Sequence, residues 1–345
     1  MLTFNCMILI TGSTGLVGSH LLAQLVAKHP KIRATKRASS DLSIFRIILA
    51  LYYPQNSAEM EERIQWVTAD LTDIPALTKA FEGISKVYHC AAYISFDPKN
   101  FYKLKKANIE GTANVVNLCL KNDVEKLIHV SSIATLGEEP NNKPMDETSD
   151  WNPEAPNSVY AITKYGAEME VWRGQQEGLA TAIVNPGVII GPGNWNSGSC
   201  VIFKRAARGI PRYTTGSSGF VGVWDVVKAM QLLMNSDLQG QRYVLVAENR
   251  DYKQFIIAVC NALGAKVPKK PIGRRSMLML AVLDYWRSKL FGGKQKLIKD
   301  TVESLYSTSN FNGKKALEIP GFEYQDLEQA IKKTAEAYSS EVLIP

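Results

Sequence analysis

Apolar and polar positions alternate in blocks along the first half of the chain, and the period of the pattern changes from block to block. Met7–Thr11 is a short, nearly unbroken apolar run, as expected of a strand covered on both faces. Val17–Lys28 repeats its apolar residues at helical spacing and predicts an amphipathic helix. Further strands are predicted at Ile32–Thr35, Ile64–Ala69, Lys86–Cys90, Leu127–Ser131 and Ala180–Asn185. Helices are predicted at Ile74–Phe81, Phe101–Asn122 and Tyr160–Gln176, and the long connection Ala38–Arg63 carries helical pattern in Leu42–Tyr53 and Ala58–Arg63. Strand and helix in alternation predict an α/β fold, a Rossmann-type doubly wound parallel sheet. The second half is less regular. Helices are expected at Val201–Arg208, near Phe255–Leu263, at Ser276–Leu290 and at Asp326–Tyr338, with a strand at Tyr243–Val246. The expected division is a nucleotide-binding core over 1–185, completed by a strand near 243–247, and a smaller interleaved C-terminal lobe over 186–345.

In such sheets the ligand crevice lies at the carboxyl ends of the strands. The residues there are chemically suggestive. Gly12-Ser13-Thr14-Gly15-Leu16-Val17-Gly18 follows a strand and opens a helix, the context that gives a glycine loop meaning. Gly12 permits the turn, Gly15 lets the backbone approach a pyrophosphate, and Gly18 lets helix and strand pack closely. After the second strand stand Lys36 and Arg37 rather than an acid. This favours the 2′-phosphate of NADP over the free ribose hydroxyl of NAD, although Asp41 is near enough to leave NAD open. Asp70 and Leu71 end the third strand, suited to an adenine amino group and ring. Cys90-Ala91-Ala92 end the fourth and are small enough for a ribose and nicotinamide to lie against.

Tyr160 and Lys164 stand four residues apart on one predicted helical face. A neighbouring ammonium favours phenolate and lowers the tyrosine's pKa from its ordinary value near 10. The phenol then moves a proton to or from an alcohol oxygen. Ser131-Ser132, at the fifth strand's end, is the natural source of a hydroxyl to steady that oxygen.

Taken together these pieces resemble the extended short-chain dehydrogenase/reductases, the branch with sugar-nucleotide epimerases and dihydroflavonol reductases. Further matching pieces are His89, Asn108-x-x-Gly111-Thr112, Val130-Ser131-Ser132, Asn185-Pro186-Gly187 and Phe220-Val221-x-Val223-x-Asp225-Val226. The resemblance implies Ser132, Tyr160 and Lys164 as the catalytic set. It places Ser131 nearer the cofactor, and gives Asn108 a supporting role near Lys164. Pro186 to Val188 would flank the nicotinamide amide, and Asp225 would mark a structural turn. It also implies a homodimer through Phe101–Asn122 and Tyr160–Gln176. The dehydratases of the family carry an Asp-Glu pair after the catalytic Ser or Thr, where this chain has Ile133-Ala134. The leading expectation is an NADP(H)-dependent reductase of a ketone or aldehyde. Two other readings stay open: an epimerase with retained NAD, and a non-catalytic NADP sensor.

Composition narrows the field. No run approaches the roughly 18 apolar residues of a membrane span; the late apolar stretch Met277–Leu283 is much shorter and reads as a packed helix, with surface membrane contact left open. Five dispersed cysteines, Cys6, Cys90, Cys119, Cys200 and Cys260, point to reduced thiols and a cytoplasmic setting. The four histidines are scattered, so no metal site is expected. The net charge of +7 suits an anionic cofactor, and no nucleic-acid motif accompanies it. Trp195, Phe203, Tyr213, Phe220 and Trp224 are either pocket lining or core, and Arg205, Arg208 and Arg212 either a diphosphate site or a solvated face.

Overall fold

Residues 7–140, 143–292, 295 and 297–342 are described by a computed structural model; Cys6 and the segment before Met7 lie outside the described residues. The strands are β1 (Met7–Thr11), β2 (Ile32–Lys36), β3 (Ile64–Thr68), β4 (Ile84–His89), β5 (Lys126–Val130), β6 (Thr181–Pro186), β7 (Val188–Ile190), β8 (Arg212–Tyr213), β9 (Ser217–Gly222), β10 (Gln241–Leu245), β11 (Glu248–Asp251) and β12 (Lys270–Pro271). The helices are α1 (Leu16–Val26), α2 (Ser43–Tyr52), α3 (Ser57–Glu62), α4 (Ile74–Phe81), α5 (Phe101–Leu104), α6 (Gly111–Lys121), α7 (Val159–Gln176), α8 (Cys200–Ala207), α9 (Val223–Met234), α10 (Tyr252–Ala262), α11 (Arg274–Phe291), α12 (Lys299–Ser304) and α13 (Leu327–Val342).

Seven strands form one sheet in the order β10-β6-β5-β4-β1-β2-β3. Every pairing in it is parallel. Strand period explains how one sheet serves two cores. On β1, Ile8 and Ile10 face a cluster with α1, α2 and α9, while Leu9 between them faces a second cluster with α4, α6 and α7. On β6, Ala182 and Val184 join the first cluster and Ile183 the second. The strand order reverses between β1 and β4, so their carboxyl ends open a crevice there.

A smaller sheet, β11-β9-β7, grows from the end of β6 and packs with α8, α10 and α13. Trp195, Phe203 and Phe220 are buried in that packing, so they are core residues. Arg205, Arg208 and Arg212 are exposed.

The helix expected over 101–122 is interrupted. Lys105–Glu110 winds as a π-helical turn between α5 and α6, and Asn108 lies inside it. Such turns concentrate at functional sites because they redirect a side chain without ending the helix.

Candidate active site

The glycine loop closes tightly at the switch point. Gly12 has φ +70°, and a Cβ there would sit 2.5 Å from the backbone of Ala91 at the end of β4. A Cβ on Gly18 would collide with the Gly12 carbonyl oxygen. Both positions therefore require glycine, one for conformation and one for close approach. The result is a cavity of about 240 Å³ across the carboxyl ends of β1 to β4. Its walls include Gly12, Thr14, Gly15, Arg37, Asp70 and Leu71, with Cys90, Ala91 and Ala92 on the β4 side.

At the β2 end of the cavity, Lys36, Arg37 and Ser40 join the lining. Asp41 does not join it. Its carboxylate accepts from Ser43 N at 2.8 Å and Ser43 Oγ at 2.7 Å. At the β3 end, Asp70 accepts from the backbone N and hydroxyl of Thr72 through one oxygen, Oδ1. The Cys90 thiol is pushed up to about 12 by burial, so it stands as a packing group and not as a thiolate.

Several residues of the loop and its surroundings serve the scaffold. Ser13 Oγ donates to Ile10 O at 2.8 Å, and Val17 is packed in the core. Leu16 packs beside Gly193. Asn108 grips a backbone: Oδ1 accepts from Tyr93 N at 2.7 Å, and Nδ2 donates to Tyr93 O at 3.0 Å and to Thr163 Oγ1 at 3.2 Å. The family resemblance implied support near Lys164; in the structure Asn108 ties the wall after Ala92 to Thr163, the residue before Lys164. Pro186 and Val188 flank the junction of β6 and β7, outside the cavity lining.

The second part of the site is carried by β5 and α7. Ser158 Oγ accepts from Ala161 N at 3.2 Å and caps α7, so the helix starts one residue before Tyr160. Tyr160 is half-buried, and the Ser132 hydroxyl is near enough to favour its phenolate form. Phe96 lies against the Tyr160 ring, with centroids 5.4 Å apart. Lys164 is buried on the same face, and its Nζ donates to Val130 O at 2.8 Å.

The electrostatics differ from the expectation in one respect. Burial raises the Tyr160 phenol above its usual value, and the nearby Ser132 hydroxyl opposes that shift. The Lys164 ammonium bonds the Val130 carbonyl and is not among the groups that shift the phenol. Burial brings Lys164 itself down to about 8, opposed by the nearby Glu168 carboxylate.

Beneath Lys164 lie two imidazoles. His129 Nε2 is 3.5 Å from Lys164 Nζ, and the ring lies 5.0 Å from that of His89. His89 is held at Nδ1 by Thr11 Oγ1 at 2.6 Å and at Nε2 by Thr112 Oγ1 at 2.9 Å. Burial and the Lys164 charge push His89 down to about 3 and His129 well below 6.5. Both rings are therefore neutral at physiological pH.

Sequence reasoning missed Glu168. It is fully buried, and its Oε2 accepts from Ser131 Oγ at 2.7 Å, Thr135 Oγ1 at 2.9 Å and Asn185 Nδ2 at 2.9 Å. Ser131 therefore turns its hydroxyl to this carboxylate, not to the cavity. The available signal was spacing: Glu168 follows Lys164 by four residues, on the face already assigned inward.

The fold and site define the class. The sequence pattern of the NAD dependent epimerase/dehydratase family matches residues 8–246, and the chain belongs to that family. It is an NAD(P)-dependent oxidoreductase of the extended short-chain dehydrogenase/reductase type. Among individual proteins, it is 27% identical over 331 residues to a putative dihydroflavonol 4-reductase of Synechocystis sp., covering 93% of this chain and 91% of that one. It is 28% identical over 279 residues to the sterol demethylase protein B of Methylococcus capsulatus, covering 80% of each. The crystal structure of gox2253 superimposes with a TM-score of 0.79 at 27% identity, covering 98% of this chain and 99% of that one.

Proposed function

We propose that this protein is an NADP(H)-dependent oxidoreductase that interconverts a ketone or aldehyde with its alcohol on a small or mid-sized substrate. The observation that carries this reading is the approach of the Ser132 hydroxyl to the Tyr160 phenol, one helical turn from buried Lys164, beside the glycine-floored cavity. The name of the Synechocystis relative, a putative dihydroflavonol 4-reductase, points the same way.

The dinucleotide, when bound, supplies or accepts the hydride. The chain's own groups do the rest. Gly12 and Gly15 admit a pyrophosphate to the α1 N-terminus, where the helix dipole favours it. Lys36 and Arg37 bring two cations to the ribose 2′ position, and the engagement of Asp41 by Ser43 removes the competing acid. Asp70 and Leu71 take the adenine. The Lys164 ammonium turns from Val130 O to the nicotinamide ribose hydroxyls. Ser132 and Tyr160 bond the substrate oxygen, and the Tyr160 phenol gives its proton to the oxygen as the carbonyl carbon gains the hydride.

Residues 1–185 with β10 serve the cofactor, and most of 186–345 serves the substrate. The exposed Ile162 and Met169 on α7 and Tyr102 on α5 support a homodimer through these helices, which light scattering tests. The dispersed cysteines of the sequence support a cytoplasmic setting.

The test is a panel of carbonyl compounds assayed with NADPH and with NADH, following loss of reduced-nicotinamide absorbance. Oxidation of NADPH by one carbonyl class, abolished in Tyr160→Phe, is expected. A chain that purifies with retained NAD and consumes neither cofactor is an epimerase instead. Dinucleotide binding with a cellular role that survives Tyr160→Phe identifies a sensor.

A further inference from the structure

Helix α11 is built inside out. Met277, Ala281, Asp284 and Ser288, spaced three or four residues apart, form the face turned to the protein, and Ala281 is its buried residue. On the opposite face Met279, Val282, Leu283, Trp286 and Leu290 repeat at the same spacing, each between 49% and 70% exposed. A helix at an ordinary protein surface does the reverse. Here an aspartate and a serine are inward while a tryptophan and four aliphatic or thioether side chains face solvent.

Charge says what this face meets. Between Lys266 and Lys299 stand ten lysines and arginines and one acid, Asp284. That acid is directed inward, where it accepts from Arg287 at 2.8 Å and from Leu297 N at 2.9 Å. Arg275 and Lys289 flank the apolar stripe and are exposed. A second copy of this chain docked face to face would set these cations against one another, since a two-fold interface pairs like with like. Among the described residues no helix is long and apolar enough to cross a membrane. An apolar stripe with a basic rim instead suits a helix lying in the headgroup layer.

We propose that α11 docks this protein on an anionic lipid surface, with Met279, Leu283, Trp286 and Leu290 entering the acyl boundary and the surrounding basic side chains meeting the headgroups. The surface then adjoins the candidate active site. Lys99 Nζ lies 5.4 Å from the Tyr285 ring centre, and Phe96, three residues earlier, touches Tyr160.

The test is sedimentation of the intact chain with phosphatidylcholine vesicles, with or without phosphatidylglycerol. Binding to the phosphatidylglycerol vesicles only, weakening as salt rises, is expected. Both Met279→Glu/Leu283→Glu and Arg275→Glu/Lys289→Glu should weaken it about tenfold or more, with circular dichroism unchanged. The charge pair alone decides the matter should the first variant misfold. Wild-type protein that ignores phosphatidylglycerol vesicles, or variants that bind as wild type does, overturn the proposal. So does light scattering in which Met279→Glu/Leu283→Glu splits a dimer that has no vesicle affinity, because α11 then covers a second copy.

Discussion

Glu168 and Arg242 form an ion pair at 3.1 Å, the carboxylate fully closed to solvent and the guanidinium 14% exposed. The pair joins the helix bearing Tyr160 and Lys164 to the edge strand β10. Through its other oxygen, Glu168 also holds Ser131 at the end of β5 and Asn185 near the end of β6. One carboxylate thus sets the relative position of the helix and three strand ends. Replacing it with alanine leaves the Arg242 charge without its counter-ion and the Ser131 hydroxyl without its acceptor, a loss of about 3–5 kcal/mol. Urea unfolding should show this as a lower midpoint for Glu168→Ala. Adding Arg242→Met should recover part of it, because the stranded cation is then gone.

Tyr160→Phe removes the proposed proton donor and keeps the ring packed on Phe96. Turnover should fall about 10²- to 10⁴-fold. Dinucleotide affinity, read by fluorescence titration, should stay close to wild type. Equal loss of both would mean that the phenol serves binding and not proton transfer.

Arg37 should discriminate between the two nicotinamide cofactors. Arg37→Ala should delete the proposed charge-assisted contact with the 2′-phosphate, about 1.5–3 kcal/mol, or roughly 10- to 100-fold in NADPH affinity. NADH binding should barely change. The ratio of the two dissociation constants, measured by calorimetry, checks this.

Lys164 titrates at about 8. Its proposed role at the ribose needs the ammonium, so dinucleotide affinity should fall as pH rises through 8, whereas Lys164→Met should bind weakly at every pH. The sign for stability is opposite. A lysine whose folded value is depressed is penalised while charged, and that penalty is relieved as pH rises from about 8 toward its ordinary 10.5.

Three buried histidines should make the protein acid-labile. His20 is held down at about 4, His89 at about 3, and His129 well below 6.5, burial being the main cause in each. The unfolded chain binds these protons first, so stability falls as pH drops below about 6.5. Each histidine contributes about 1.4 kcal/mol per pH unit until its folded value is reached. Asp225 works against them. Burial raises it to about 6, so the folded state gains its proton first and is favoured as pH falls from 6 toward 3.8. One carboxyl offsets one histidine, and the net trend remains loss of stability in acid. Thermal melts between pH 7 and 5 measure it.

The sheet and its helices were legible because each strand had both a buried run and a flanking turn. Ile74–Phe81 is found as expected, and most other boundaries shift by one or two residues. Helix α9 was not expected from the sequence, and it lies mostly in the core, with Val223, Val226, Val227, Met230 and Leu233 buried. The small sheet escaped because β7 and β11 are short, and the sequence breaks at Gly187 and Gly191 hide their pairing with β9. At the site, the local motifs were readable: Gly12 to Gly18, Ser132, Tyr160 and Lys164. What the sequence hid was direction. Nothing in Ser131 or Asn108 says that one turns to Glu168 and the other to the Tyr93 backbone, because those partners lie 37 and 15 residues away.

The wide turn at Lys105–Glu110 holds one residue more than regular winding would fit in the same rise. Shortening the segment by one would restore an even coil and rotate everything ahead of Asn108 by about a quarter turn. Asn108 would then no longer meet Tyr93 and Thr163 together, although no residue type had been exchanged. Between Phe101 and Gly111 the chain is constrained in length as much as in composition.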